Sequence, residues 1–260
     1  RSAGIMMLLS NKQKRDFYEN GYLCLPNAVS STIVDSALRS INHSLGEEGM
    51  NKEELPTLRA QSYCREIRES SSITNLINQS QLIEVMDDLL GVDNLGPIKS
   101  GQIALRFPRR SSDKISPPNG HLDGLGSGLN GSDKGTYRRN FTALAVVLLN
   151  PLPSINRGNF TVWPKSHNFF ADYFRKHGTE VLADGMPKVE LPVAPVQLTG
   201  LPGDIILTHH QTVHTAAPNH SSYIRYAAIF RLHHRNSIGN DAYINLWHEW
   251  PGICQVAGHK

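Results

Sequence analysis

Apolar residues in the first third of the chain recur at the spacing of helix faces. From Ser31 onward they lie three or four residues apart, and Gly46 is suited to close that helix. An earlier helix is capped by Ser10 and stopped by Gly21, because glycine readily adopts a left-handed backbone conformation. The pattern predicts three helices, at 10–20, 31–45 and 81–90, and one short strand at 22–25.

After about residue 99 the pattern changes to short runs that are typical of β-strands, separated by clusters of Gly, Pro, Asn and Ser. Because the helices come before the strands rather than between them, a parallel α/β sheet is disfavoured. We predict a mainly β fold in one domain, 1–260, with a helical part at about 8–98 that braces a jelly-roll core at about 99–250. The predicted core strands span 102–107, 142–149, 159–163, 193–198, 204–209 and 223–233.

The composition allows a sizeable core and gives little sign of a nucleic-acid partner. Hydrophobic residues make up 39% of the 260 and charged residues 19%, which argues against disorder. The formal net charge is +3, and the only Arg-Arg pairs lie at 109–110 and 138–139. A nucleic-acid binder typically has a clustered basic face, so we expect no nucleic-acid partner. The oligomeric state stays open.

The cysteines and the hydropathy bear on the compartment. Cys24, Cys64 and Cys254 lie far apart and form no zinc-binding pair and no disulfide framework, which favours a reducing environment. No secretory leader is recognised, so an intracellular, cytoplasmic location is expected. There is no run of about 18 apolar residues, so no membrane partner is expected.

The segment His121-Leu-Asp123 is the one His-x-Asp sequence in the chain. At the end of a strand, residues i and i+2 point to the same face, so both side chains can reach one metal ion. Because the chain has 12 histidines, a chance match is easy, and a polar loop with a turn capped by Asp123 is the alternative.

A segment further along the chain supplies a third candidate ligand. A strand that begins near Asp204 is expected to run towards His214, and a turn centred on residues 219–220 would then return the chain. Since His214 and Arg225 are equidistant from that turn, they would be cross-strand neighbours with side chains on one face. A metal ligand and a guanidinium would look into the same cavity.

Together these residue types indicate one kind of chemistry. Two histidines and one carboxylate form a facial triad that leaves open positions on Fe(II). An arginine has the fork geometry that holds a carboxylate through two parallel hydrogen bonds. 2-Oxoglutarate needs both features, because one end chelates the metal and the distal carboxylate needs a cation. His121, Asp123 and His214 are therefore the predicted catalytic metal ligands, and Arg225 the predicted cosubstrate residue.

The chain resembles the phytanoyl-CoA dioxygenase family of Fe(II)/2-oxoglutarate-dependent oxygenases. The resemblance rests on His121-x-Asp123, on His214 followed by ten residues and Arg225, on Gly158–His167, and on residues 16–23. It implies a double-stranded β-helix of cupin-like form, with Fe(II), 2-oxoglutarate and O2 as cofactor and cosubstrates and with succinate and CO2 as coproducts. The implied partner is a small-molecule or acyl-CoA-type substrate. The carboxylate of Asp123 favours hydroxylation, since related halogenases lack it.

The chain departs from the family pattern at two positions. Lys165 stands where the family often has glycine. Ala216 stands two residues past the distal histidine, where the family often has a hydroxyl that helps to hold 2-oxoglutarate. Thr142 or Thr215 is the candidate replacement for that hydroxyl, and Gln102 is a further candidate for cosubstrate binding.

Other interpretations of the sequence stay open. A jelly-roll module that binds a metal or ligand without turnover is the main alternative. A JmjC-like protein hydroxylase is another, although that class more often holds 2-oxoglutarate with a lysine. His220 and Arg231 copy the spacing of His214 and Arg225, but His220 lies in the predicted turn. Arg231 shares strand parity with Arg225 and is expected to point inwards.

Glycines follow the His-x-Asp segment, at 124–131. Residues 126–131 match the Gly-x-Gly-x-x-Gly fingerprint of dinucleotide-binding proteins, which must open an apolar helix. A polar segment follows here instead, so we predict a loop beside the metal site that covers it or influences substrate choice.

Overall fold

The computed structural model describes residues 8–126 and 133–258. Within these residues the chain forms seven α-helices and eight β-strands. The helices are α1 (Asn11–Asn20), α2 (Ser31–Glu47), α3 (Leu55–Ala60), α4 (Ser71–Asn78), α5 (Leu82–Leu90), α6 (Ser166–His177) and α7 (Pro251–Ala257). The strands are β1 (Tyr22–Leu25), β2 (Gln102–Arg106), β3 (Ala143–Leu148), β4 (Phe160–Val162), β5 (Val196–Gln197), β6 (Ile205–His209), β7 (His214–Ala216) and β8 (Arg225–Leu232). No described helix has the length and apolar character needed to cross a bilayer.

The strands form two antiparallel sheets with flanking helices, an arrangement that fits a jelly-roll core. The major sheet has the order β1-β6-β3-β8-β2, and the minor sheet has the order β5-β4-β7. Every pairing in both sheets is antiparallel, as the sequence predicts.

Both faces of the major sheet are buried, but against different partners. Along β8, Ala228, Phe230 and Leu232 belong to the cluster that contains the N-terminal helices, where Phe17 and Ile41 are fully buried. The alternate residues point the other way because side chains along a strand alternate between faces. This inner face joins a second cluster with the minor sheet, made of Leu144, Val146, Ile206, Ala227, Phe160, Val162 and Leu198 among others.

The N-terminal helices form for the local reasons that the sequence indicates. The Ser10 side chain accepts a hydrogen bond from the Gln13 backbone, and the Gln13 side chain accepts one from the Ser10 backbone, which completes a capping box. Gly21 ends the helix with φ of 78°. The predicted end of the second helix at Gly46 is wrong, because the helix continues to Glu47 and the left-handed glycine that follows it is Gly49, with φ of 70°.

The expectation that helices only precede the strands is also wrong. Helix α6 lies between β4 and β5, and α7 follows β8. Residues Ser166–His177 place Phe170 and Phe174 four apart on one buried side, so the chain forms a helix in a segment where none is predicted from the sequence. Residues 127–132, which include most of the predicted glycine-rich loop, lie outside the described residues.

Candidate metal centre

The backbone brings the two predicted metal-binding histidines together. The His121 N–H donates to the His214 carbonyl over 3.0 Å, and the His214 N–H donates to the His121 carbonyl over 3.2 Å. This isolated antiparallel bridge fixes the two residues opposite each other, and their ring centroids are 4.7 Å apart. Asp123 follows two residues after His121 and points to the same place.

The side chains of His121, Asp123 and His214 converge on one point. Asp123 Oδ1 lies 3.3 Å from Nε2 of His121 and 3.9 Å from Nε2 of His214. One ligand atom from each residue lies within 4.8 Å of the other two. Two imidazole nitrogens and one carboxylate oxygen at this spacing fit a single transition-metal ion and leave further positions open.

The ring of His214 is held in one orientation. Its Nδ1 lies 2.9 Å from the carbonyl oxygen of Thr212, to which it donates when Nδ1 carries the proton, and Nε2 is then free to bind a metal. The Phe160 ring stacks on the imidazole at 5.3 Å. Burial, and after it the nearby His121, lower the pKa of His214 to about 4, so the ring is neutral at neutral pH. A neutral imidazole is the form that binds a metal.

Asp123 is held as a carboxylate. Burial alone would raise its pKa, but the hydrogen bond to His121 and the charge of Arg231 lower the pKa overall. Arg231 Nη2 donates to Asp123 Oδ2 over 2.8 Å, while Oδ1 faces both histidines. Arg231 Nη1 donates to Oε1 of Gln102 over 3.2 Å. Arg231 therefore points inwards, as its strand parity predicts, and orients the metal-binding carboxylate.

The triad opens into a cavity of about 450 Å³. Arg225 also lines it and is only 3% exposed. The Arg225 Nη1 donates to the Ala104 carbonyl over 3.2 Å, and its Nε has no hydrogen-bond partner. Burial and the charge of Arg106 lower the pKa of Arg225 to about 9, which leaves the guanidinium protonated at neutral pH. A buried cation without a carboxylate partner among the described residues is suited to bind an anionic ligand.

The route by which His214 and Arg225 reach this cavity differs from the prediction. The strand from Asp204 does not continue to His214, because β6 ends at His209 and a turn separates it from β7. Strand β7 pairs with β4 in the minor sheet, whereas Arg225 pairs with Arg106 in the major sheet, so His214 and Arg225 are not cross-strand neighbours. The connection crosses from one sheet to the other.

The side chain of Asn219 explains this crossing. Its Nδ2 donates to the carbonyls of Arg106 and Tyr223, and its Oδ1 accepts from the backbone and hydroxyl of Ser221. The bond to Arg106 ties the connection to the end of β2, and the others close a local turn between residues 219 and 223. Both side chains still line one cavity, because the inner face of the major sheet looks towards the minor sheet.

The other predicted cosubstrate residues do not all lie at the cavity. Gln102 and Thr215 line the cavity, but Thr142 does not. The Thr142 hydroxyl donates to Glu249 over 2.7 Å and accepts from Arg139 and from the backbone of His234. Its three hydrogen bonds belong to a buried ion pair, so the structure does not bring Thr142 to the metal centre.

Two cavity arginines were not among the predicted site residues. Arg106 lies on β2 opposite Arg225, and Arg59 comes from the end of α3. Arg106 lies four residues after Gln102 on the same strand, so the sequence could have indicated that both side chains point to the same face. Gly158 has φ of 76°, and a Cβ there would lie 2.8 Å from the Cβ of Arg106 and 3.1 Å from that of Arg225. Because Gly158 has no side chain, the aliphatic parts of Arg106 and Arg225 can pack against the backbone just before β4.

Comparison with known proteins relates this fold to one group of enzymes. No protein-family model and no curated protein matches the sequence. Among solved structures, the non-heme alpha-ketoglutarate-dependent carbocyclase SnoK from nogalamycin biosynthesis is similar, with a TM-score of 0.56 at 17% identity, over 92% of this chain and 90% of SnoK. The non-heme monooxygenase ThoJ has a TM-score of 0.60 at 16% identity, over 86% and 78% of the two chains.

A third similar structure contains ligands. HygX from Streptomyces hygroscopicus, with nickel and 2-oxoglutarate bound, has a TM-score of 0.55 at 18% identity, over 88% of this chain and 89% of HygX. Identities this low carry the fold and not the reaction. The chain therefore shares the fold of these non-heme metalloenzymes.

Proposed function

We propose that the chain is an Fe(II)- and 2-oxoglutarate-dependent dioxygenase that hydroxylates a small-molecule or acyl-CoA-type substrate. One observation carries the proposal: a single cavity contains the ligand atoms of His121, Asp123 and His214 together with the buried guanidinium of Arg225. The metal triad alone would suit several reactions. The buried arginine beside it adds the requirement of an anionic cosubstrate.

The protein's part at the metal is to provide and hold three ligands. His121 and His214 would bind through Nε2, and Asp123 through the Oδ1 that faces both rings. The iron, when bound, supplies the activation of O2 that is coupled to oxidative decarboxylation of 2-oxoglutarate. Arg231 engages the second carboxylate oxygen, so it favours one-oxygen binding by Asp123 and leaves room on the metal.

The protein's part at the cosubstrate is to bind its distal carboxylate away from water. Arg225 is suited to this because its guanidinium can form two parallel hydrogen bonds to a carboxylate. A buried charge-assisted bond is stronger than an exposed one, since the surroundings screen it less. Leu144, Phe160 and Ile229 line the same cavity and exclude water from the bound cosubstrate. Thr215 is the hydroxyl that remains available to it.

We further infer that the core is a double-stranded β-helix in one domain and that the chain is a member of the phytanoyl-CoA dioxygenase family. The facing antiparallel sheets support the first inference. The motif residues support the second, because His121, Asp123, His214 and Arg225 meet in the arrangement that the family resemblance implies.

The test is Fe(II)-dependent formation of succinate from 2-oxoglutarate, with candidate substrates present. Wild-type protein should form succinate, and His121→Ala should lose this activity because a metal ligand is removed. His220→Ala is the matched control, since His220 copies the sequence spacing but does not line the metal cavity. Absence of succinate from iron-loaded wild-type protein with every candidate would contradict the proposal and favour a binding module without turnover.

A further inference from the structure

A second cavity of about 610 Å³ adjoins the metal cavity. The two share part of their walls, since Arg59, Arg106, Thr215 and Ala216 line both. A ligand that fills the second cavity can therefore extend past these residues towards the metal triad. His121, Asp123 and His214 line the first cavity only.

The charged residues that line the second cavity are all positive. Three arginines line it, Arg59, Arg106 and Arg109, and no aspartate or glutamate does so among the described residues. The guanidinium of Arg106 donates to the carbonyl of its neighbour Leu105, over 3.3 Å. Within the described part of the chain, none of the three has a carboxylate within ion-pair distance.

Some described arginines have a carboxylate partner, although most exposed ones do not, so what distinguishes the second cavity is that three arginines converge on it. Arg139 pairs with Glu249, Arg175 with Asp172, and Arg231 with Asp123. Three unpaired guanidinium groups around one concave surface raise its electrostatic potential and attract an anion. Arg106 is itself partly desolvated, since burial and the charge of Arg59 lower its pKa, with Tyr63 opposing the shift. A bound anion would relieve this repulsion.

The arginines of the two cavities have separate positions. Of these two cavities, Arg225 lines the metal cavity and not the second one, and Arg109 lines the second one and not the metal cavity. If Arg225 binds the cosubstrate, as the proposed function requires, the arginines of the second cavity remain for another anion. Because the two cavities share part of their walls, the substrate is the ligand that would place such an anion beside the metal cavity.

We propose that the second cavity binds an anionic group of the substrate, a phosphate or a carboxylate, through Arg59, Arg106 and Arg109. This proposal rests on the proposed function and assigns a substrate class to it. The substrate has its anionic group at one end and its reacting carbon towards the metal triad. An arginine fork suits both phosphate and carboxylate, so the experiment distinguishes them.

The experiment is a calorimetric titration of protein that is saturated with Ni(II) and 2-oxoglutarate. Phenyl phosphate and phenylacetate are the two probes, because each carries one anionic group and chelates metals poorly. We expect at least one probe to bind wild-type protein, and its affinity to fall about tenfold in Arg109→Gln and in Arg59→Gln. Higher affinity for phenyl phosphate assigns a phosphate substrate, and higher affinity for phenylacetate a carboxylate substrate.

The matched control is Arg39→Gln, which removes the same charge from the exposed surface of α2, outside both cavities. It should bind the probe like wild type. Failure of both probes to bind wild-type protein, or equal weakening by Arg39→Gln, would overturn the proposal. Binding of 2-oxoglutarate is measured first in each variant, so loss of the proposed function is seen separately as absence of that binding.

Discussion

The chain contains two deeply buried arginines with opposite surroundings. Arg139, 4% exposed, is paired through both terminal nitrogens: its guanidinium donates to both carboxylate oxygens of Glu249 and also to Thr142 and Ser237, while its Nε has no partner. Arg225 is 3% exposed, and among the described residues its guanidinium has one hydrogen-bond partner, the Ala104 carbonyl, and no carboxylate. The first arginine ties the C-terminal segment to the start of β3. The second lies in the metal cavity.

This difference separates a structural charge from a binding charge. A buried ion pair contributes to folding only if both members are present, because removal of one leaves the other desolvated and unpaired. A buried arginine without an internal partner contributes little to folding and is available to a ligand. Substitutions at the two sites should therefore affect different quantities.

The largest expected effect is on stability, at the Arg139 site. Glu249→Gln should lower the free energy of unfolding by about 3–5 kcal/mol, because the buried Arg139 loses its counter-charge. Chemical denaturation measures this change. Glu47→Gln, at the exposed end of α2, is the control and should change stability little. If Glu249→Gln lowered the free energy of unfolding by less than about 1 kcal/mol, the ion pair would contribute no more to stability than a typical surface pair.

The same site should make the protein acid-sensitive. Burial alone would raise the pKa of Glu249, but the hydrogen bonds and charge of Arg139 lower it to about 2 from an ordinary value of 4.5. A depressed pKa in the folded state contributes stability above the unfolded-state value, and this is lost as the pH falls from about 4.5 towards 2. The loss should amount to roughly 3 kcal/mol. Denaturation at several pH values measures it, and an equal acid dependence in Glu249→Gln would contradict this cause.

The effect at the Arg225 site should appear in binding. Arg225→Gln should weaken 2-oxoglutarate binding by about 10- to 100-fold, since a charge-assisted hydrogen-bond pair is lost. Its free energy of unfolding should not fall, because no internal ion pair is broken. Calorimetry on Ni(II)-loaded protein measures the affinity, and Arg225→Lys should retain part of it. If Arg225→Gln lowered the free energy of unfolding but left 2-oxoglutarate affinity unchanged, Arg225 would be a structural charge rather than a binding charge.

A smaller effect is expected at Arg231, which holds the metal-binding carboxylate from behind. Arg231→Gln should lower Ni(II) affinity roughly tenfold, because Asp123 loses the donor that orients it. A direct Ni(II) titration measures this without catalysis. Arg235→Gln, an exposed arginine just past β8, is the control. If Arg231→Gln and Arg235→Gln bound Ni(II) with equal affinity, Arg231 would have no role in orienting the metal ligand.

The strand positions and the convergence of His121 with Asp123 could be predicted because both depend on short-range patterns. Alternation along 223–233 places Arg225 and Arg231 on one face, and His-x-Asp spacing brings His121 and Asp123 together. Helix α6 was missed although Phe170 and Phe174 have helical spacing and Gly178 follows. These positions are enough to indicate a helix, although the segment is short and lies between β-strands.

The parts that could not be predicted depend on contacts between distant segments. The pairing of β7 with β4 is set partly by Asn219, whose amide donates to the Arg106 carbonyl 113 residues earlier. Thr142 is a plausible cosubstrate hydroxyl on sequence alone. Its hydrogen bond to Glu249, 107 residues later, commits the hydroxyl elsewhere. Arg59 reaches the cavity from a short helix with no strand parity to guide a prediction.

The most direct test is the affinity of wild-type protein for 2-oxoglutarate, measured by calorimetry with and without Ni(II). If one ligand is held by both the metal triad and Arg225, Ni(II) should strengthen binding by about tenfold or more. Asp123→Ala should abolish this strengthening, since the metal site is lost while Arg225 remains. Binding that is equal with and without the metal, or absent in both cases, would contradict the assignment of this cavity to a metal and 2-oxoglutarate together.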